Sequence, residues 1–143
     1  MIDLIRAEIK SRVRECSNLY KEINNPFFKV EDLTQEKIKY KYHVEMGVSS
    51  DLAEGSGESI TQIPVNFRTF VEACKDKNAD FDQAYNHALL IKELILDISR
   101  IINKDYIKGV TSSDVNPAEV PDSQDIYSYE TNFIFTISYG IGE

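Results

Sequence analysis

Residues 127–141 read YSYETNFIFTISYGI. Tyr127, Tyr129, Thr131, Phe133, Phe135, Ile137, Tyr139 and Ile141 take every odd position. Ser128, Glu130, Asn132, Thr136, Ser138 and Gly140 fill the even ones, and only Ile134 departs from the rule. A side-chain period of two belongs to an extended strand, whose successive residues point to opposite sides. The stretch predicts one long strand with an apolar face, and that face needs a layer of structure to cover it. Phe133 and Phe135 are expected in the core. The even face is expected in solvent, with Ile134 the sign that part of it is covered.

Two helical patterns can provide the cover. Ile2, Ile5, Ile9, Val13, Cys16, Tyr20 and Ile23 recur at steps of three and four, which predicts a helix over 2–23 ended by Asn24-Asn25-Pro26. Glu8 and Arg12, four apart on its other side, are expected as an exposed surface pair. Asp80-Phe81-Asp82-Gln83 matches a capping box that opens a second helix over 80–102. Its apolar residues form two stripes: Tyr85, Ala88, Ile91, Ile95, Ile98, Ile102, and Leu90, Leu94, Ile101. That arc is wide enough to need cover on two sides, from the sheet and from another helix or a neighbouring subunit.

Further strands pair with the last one. Ile38, Tyr40, Tyr42, Val44, Met46 and Val48 alternate with Lys37, Lys39, Lys41, His43, Glu45 and Gly47, predicting a strand with one buried face and one basic, wet face. Ile63, Val65, Phe67, Thr69 and Val71 mark a second strand, antiparallel to the first. Pro64 donates no backbone N–H, so its side of that strand should be an edge or a bulge. Tyr106, Ile107 and Val110 suggest a short additional strand, and 27–35 reads as either a short strand or a packed connection. Residues 49–59 and 111–125, rich in small and acidic side chains, read as mobile loops. The expected fold is α+β: a two-layer sandwich with a mainly antiparallel sheet, a long hairpin, a long C-terminal strand and two helices on one face.

The 143 residues fit a single domain spanning 1–143, large enough to bury about two thirds of the surface of the unfolded chain without a staple. The net charge of −8 argues against binding driven by phosphate neutralisation. The imbalance is uneven. Residues 1–45 hold nine Lys/Arg against eight Asp/Glu, and the remainder seven against sixteen. The N-terminal segment has the pattern of neither a signal peptide nor a membrane anchor, and Cys16 and Cys74 lack paired spacing, so a reduced, intracellular site of synthesis is expected.

Catalytic signatures are scarce. His43 and His87 stand on different elements without the spacing of a zinc site. Asp80 and Asp82 read as capping acids rather than a cation pair. Cys74 with His87 has no third group or oxyanion donor and reads as a packed thiol. Gly55-Ser56-Gly57 lacks the lysine of a phosphate loop. No enzyme, cofactor or metal is expected. The Lys37–His43 face reads first as a solvated strand face, and second as a surface for an anionic partner.

The order of KYKYHVEMGV, ITQIPVNFRTFVEA, DFDQAYNHALLIKELILDISRII, KDYIKGV and the closing IYSYETNFIFTISYGI, after an N-terminal helix, resembles the tail terminators of long-tailed bacteriophages, the lambda-like family of small proteins that close the tail tube. The resemblance implies a homo-oligomeric ring, usually of six, that stops tube polymerisation within the virion. Its partners would be the tail tube protein and the head-side connector or neck protein, with neither nucleic acid nor membrane bound directly. In such a ring Lys37, Lys39, Lys41 and His43 of one subunit would face Asp114, Glu119, Asp122 and Asp125 of the next. Two other readings stand beside it: a non-enzymatic adaptor binding a partner strand or peptide at the hairpin edge, and another phage neck or baseplate component.

Overall fold

The computed structural model describes residues 2–23, 40–55, 58–72, 77–102, 105–118 and 126–140. Its fold is α+β, with two helices on one face of a mainly antiparallel sheet. The sheet is built on two fifteen-residue strands, β4 (Glu58–Glu72) and β7 (Ile126–Gly140), which pair antiparallel along their whole length. β7 is the strand expected from the period-two pattern, and its register puts Phe133 beside Val65 and Tyr129 beside Thr69.

The other strands line the outer sides of this pair. β2 (Tyr40–Met46) runs antiparallel to the second half of β4, and β3 (Ser50–Gly55) to its first five residues. β5 (Ile107–Ser112) and β6 (Asn116–Ala118) divide β7 in the same way. β1 (Lys21–Glu22) adds a two-residue parallel edge to β2. One sheet edge is therefore made by β1 and β3, and the opposite edge by β5 and β6.

Pro64 occupies the place its chemistry demands. It faces the break between β2 and β3, and its carbonyl accepts from the Gly47 N–H (2.7 Å), so its missing donor interrupts no ladder. Gly47 is needed at this crossing, because a Cβ there would lie 2.7 Å from the Pro64 ring.

The helices α1 (Ile2–Cys16) and α2 (Lys77–Leu96) cover the face carrying Tyr42, Val44, Val65, Phe67, Phe133, Phe135 and Ile137. Ile5, Ile9 and Val13 of α1 and Ala84, Ala88, Ile91 and Ile95 of α2 complete the core. The pairs Phe67–Phe133 and Phe133–Phe135 have centroid separations of 6.3 and 6.4 Å, within the range of favourable ring contacts.

The structure corrects several expectations. The first helix ends at Cys16 rather than at 23. The Ser17 N–H closes the last turn on the Val13 carbonyl, and Ser17 Oγ then accepts from the Leu19 N–H, a local alternative to helical bonding. Tyr20 is thereby released to pack on Tyr40 (5.2 Å between centroids). The second helix starts at Lys77, so Asp80 lies inside it and is not its cap. It stops at Leu96, where the extended Asp97 takes the Ser99 N–H and caps a 3-10 turn over Ile98–Arg100. Leu90 on α2 and Ile98 and Ile102 beyond it are exposed, whereas Phe81 and Tyr85 rest partly exposed against the Tyr127 and Tyr129 rings of β7.

Residues expected as loops form strands at 50–55, 111–112 and 116–118. β4 and β7 leave backbone donors and acceptors along their outer sides, and pairing those groups does not require apolar side chains. The 27–35 segment, Asn24-Asn25-Pro26, Cys74 and residues 119–125 lie outside the described residues.

Candidate functional site

Of the residues expected to form a charged interface, Lys41, His43 and Asp114 are among those described, and the first two are not in solvent. Lys41 and His43, expected in solvent, are 2% and 5% exposed on the sheet face turned away from the helices. They lie in register with Phe70 and Arg68 of β4, which in turn face Ser128 and Glu130 of β7. Phe70, Ile126 and Ser128 are also buried there, outside the main core cluster. Alternation distinguishes two faces of a strand but does not make the polar one wet, and a lysine can bury its long aliphatic stem. Among the described residues of β7 the face opens at Asn132 and Ile134. Ile134 is thus not the covered even position; Ser128 and Ser138 are.

This second face holds charge under tight constraint. Arg68 and Glu130 form an ion pair at 2.8 Å, while His43 Nδ1, Arg68 Nε and Ser128 Oγ are buried without a hydrogen-bond partner. Orphaned polar atoms of this kind each cost about 1–3 kcal/mol. Lys37 and Lys39 lie outside the described residues. Of the acidic set, Asp114 stands in the turn between β5 and β6 with its side chain 97% exposed, 3.9 Å from Lys92. Glu119, Asp122 and Asp125 are outside the described residues.

A basic cleft lies elsewhere, and sequence reasoning missed it. Lys10, Val13 and Arg14 of α1, the 18–20 turn, Lys21 and Glu22 of β1, and Tyr42 of β2 enclose about 550 Å³. Lys10, Arg14 and Lys21 are exposed around it. Arg6, outside the lining, bonds Glu22 at 3.1 Å. Burial, with Glu22 adding to it against Arg14 and Arg6, pushes the Tyr42 hydroxyl up to about 12, so it stays protonated at neutral pH. The signal available in the sequence was Lys10 and Arg14, like charges four apart, followed by the turn-forming Ser17-Asn18. The expected helix over 2–23 hid it by carrying Lys21 onward instead of folding it back.

A second polar cluster joins α1, β2 and α2. The Tyr20 hydroxyl lies 3.1 Å from His87 Nδ1, Tyr40 donates to Gln83 Oε1 at 2.9 Å, and Cys16 Sγ is 3.9 Å from the His87 carbonyl. Burial raises the Cys16 thiol above its ordinary pKa, the opposite of an activated nucleophile. Burial also raises Tyr20 strongly, with Cys16 and Tyr40 adding to the effect. The cluster packs elements together.

Neither the models of known protein families nor the curated proteins match this chain. Among the described residues no group of three or more His, Cys, Asp or Glu could hold a metal ion, and no helix is long and apolar enough to cross a membrane.

Both histidines titrate below the ordinary 6.5. For His43 the first cause is burial; Arg6 and Arg68 lower it further, against Glu45 and Glu22. For His87 the cause is burial. The unfolded chain therefore binds more protons than the folded one once pH falls to about 6.5, and stability declines from there towards the folded values. The urea midpoint is expected to be lower at about pH 5.5 than at about pH 7.5. The His43→Gln/His87→Gln variant should flatten that slope. An unchanged slope in the variant would assign the acid loss to other groups.

Proposed function

We propose that this chain is a structural subunit that assembles head to tail into a ring, and that the ring closes the end of a phage tail tube and meets the head-side connector. The subunit would be made in the host cytoplasm and carried in the virion, without enzymatic activity. The reading rests on the resemblance to tail terminators, and one observation in the described residues supports it above others. The sheet ends in two unlike edges, β1 and β3 on one side, β5 and β6 on the other. A basic cleft adjoins the first and the exposed Asp114 lies on the second. Head-to-tail rings need two different, complementary surfaces on each subunit. Leu90 on α2, Ile98 and Ile102 after it, and the open sides of the Phe81 and Tyr85 rings offer apolar area for most of the binding energy, since exposed ion pairs contribute only about 0–1 kcal/mol each.

The test joins native mass spectrometry with negative-stain imaging and a capping assay on purified tail tubes. Closed rings that block further tube growth are expected. A chain that stays monomeric at high concentration and leaves tubes growing would overturn the proposal. The partner-strand adaptor keeps one specific support: among the described residues β1 pairs with Lys41 and Tyr42 alone of β2.

A further inference from the structure

We infer that the cleft between α1 and β1 takes up carboxylates from the β5–β6 edge of a second copy of this chain, the edge that carries Asp114. The inference rests on the ring reading above and assigns its junction. Arg6, Arg12, Arg68, Lys92 and Arg100 each have a carboxylate within 4 Å in their own subunit. Lys10 and Arg14 have none among the described residues, although the chain as a whole carries −8. Cations left uncompensated on an acidic protein, gathered around one concavity, mark a surface for an anionic partner.

The cleft suits carboxylate side chains. Arg14 offers a planar fork that matches a carboxylate, and Lys10 offers an ammonium donor. Asn18 adds an amide, while Val13 and Tyr20 supply apolar wall beside the polar rim. The chain itself carries the matching anion at the far edge of the same sheet. Asp114 is almost wholly exposed, and its 3.9 Å approach to Lys92 is too long for a hydrogen bond, so it can be exchanged for a better partner at little cost. In the sequence, 111–125 (TSSDVNPAEVPDSQD) holds four acids and no base. Because the two surfaces stand on opposite edges, one subunit cannot satisfy both within itself, whereas a neighbour placed edge to edge satisfies one of each.

The experiment uses the full chain and a fluorescent peptide of residues 111–125, read by anisotropy, alongside sedimentation of the chain alone. Saturable peptide binding is expected, weakening as salt rises. Lys10→Glu with Arg14→Glu should weaken it by about tenfold or more, and the milder Lys10→Gln/Arg14→Gln less. Circular dichroism and the urea midpoint establish that both variants remain folded. No peptide binding, or binding indifferent to both variants, overturns the inference. Full displacement by millimolar inorganic phosphate also overturns it, since the cleft would then take a simple anion. If wild-type rings form and survive the charge reversal, the ring stands and the cleft assignment falls. If the peptide binds as expected but tubes are never capped, the cleft assignment stands and the tail-terminator reading falls.

Discussion

Replacing Phe133 with Ala is expected to lower the unfolding free energy by about 3–5 kcal/mol. Phe133 is 1% exposed at the centre of β7, between Val65 of β4 and Ser112 of β5. Its ring meets Phe67 edge-on and Phe135 at a tilt, so truncation leaves a cavity bounded by residues from two central strands. These neighbours are held by paired backbone on both sides and cannot collapse far into the gap. The neighbouring Ile134→Ala is the control. Ile134 is 40% exposed on the other face, and its loss should be under about 1 kcal/mol. Urea melts of the two variants decide the matter. Similar losses at both positions would mean that the middle of the second face is also packed.

Removing Arg12 is expected to cost about as much, and for a different reason. Glu8 and Arg12 have the spacing of an exposed helical pair, which would contribute about 0.3–0.5 kcal/mol. Their side chains are instead only 5% exposed, joined at 3.0 Å. Glu8 Oε1 accepts the Ile102 N–H at 2.7 Å, and the Arg12 guanidinium donates to the Arg100 carbonyl. Arg100 in turn bonds Glu15 at 2.9 Å and Asp97 at 3.1 Å. The pair thus fastens the turn after α2 onto α1 and satisfies backbone groups there. Arg12→Ala leaves a buried carboxylate without its cation, for an expected loss of about 3–5 kcal/mol. Glu8→Leu combined with Arg12→Met removes both charges and should cost well below the sum of the single changes. An additive double-mutant cycle would show that the two side chains do not act as a buried unit.

The candidate interface was legible in kind but not in place. Composition already showed a chain whose acids and bases are unevenly spread, and Asp114 is as exposed as its polar surroundings implied. Strand alternation points to Lys37, Lys39, Lys41 and His43 as the basic partner only if the polar side meets solvent. Burial of Phe70, Ile126 and Ser128 on that same side shows that the sheet has a second, partly covered face. Lys10, Arg14 and Lys21 come together only because the chain turns at Ser17 and returns as β1, a choice fixed by pairing with β2 and by Tyr20 meeting Tyr40 and His87.

Local periodicity by itself determined the long final strand, the odd-face core of β4 and β7, the existence of both helices and the α+β class. Each is set by which neighbours along the chain share a face, and that follows from backbone geometry alone. Only tertiary structure decided the rest. Segments 50–55 and 116–118, expected within loops, became strands because two fifteen-residue neighbours offered them backbone partners. The first helix was cut short at Cys16 by the return of the chain as β1 against β2 and by Tyr20 meeting Tyr40 and His87, and the Glu8–Arg12 pair was buried by the turn after α2. Such contacts depend on what the fold brings alongside, and no window of sequence contains them.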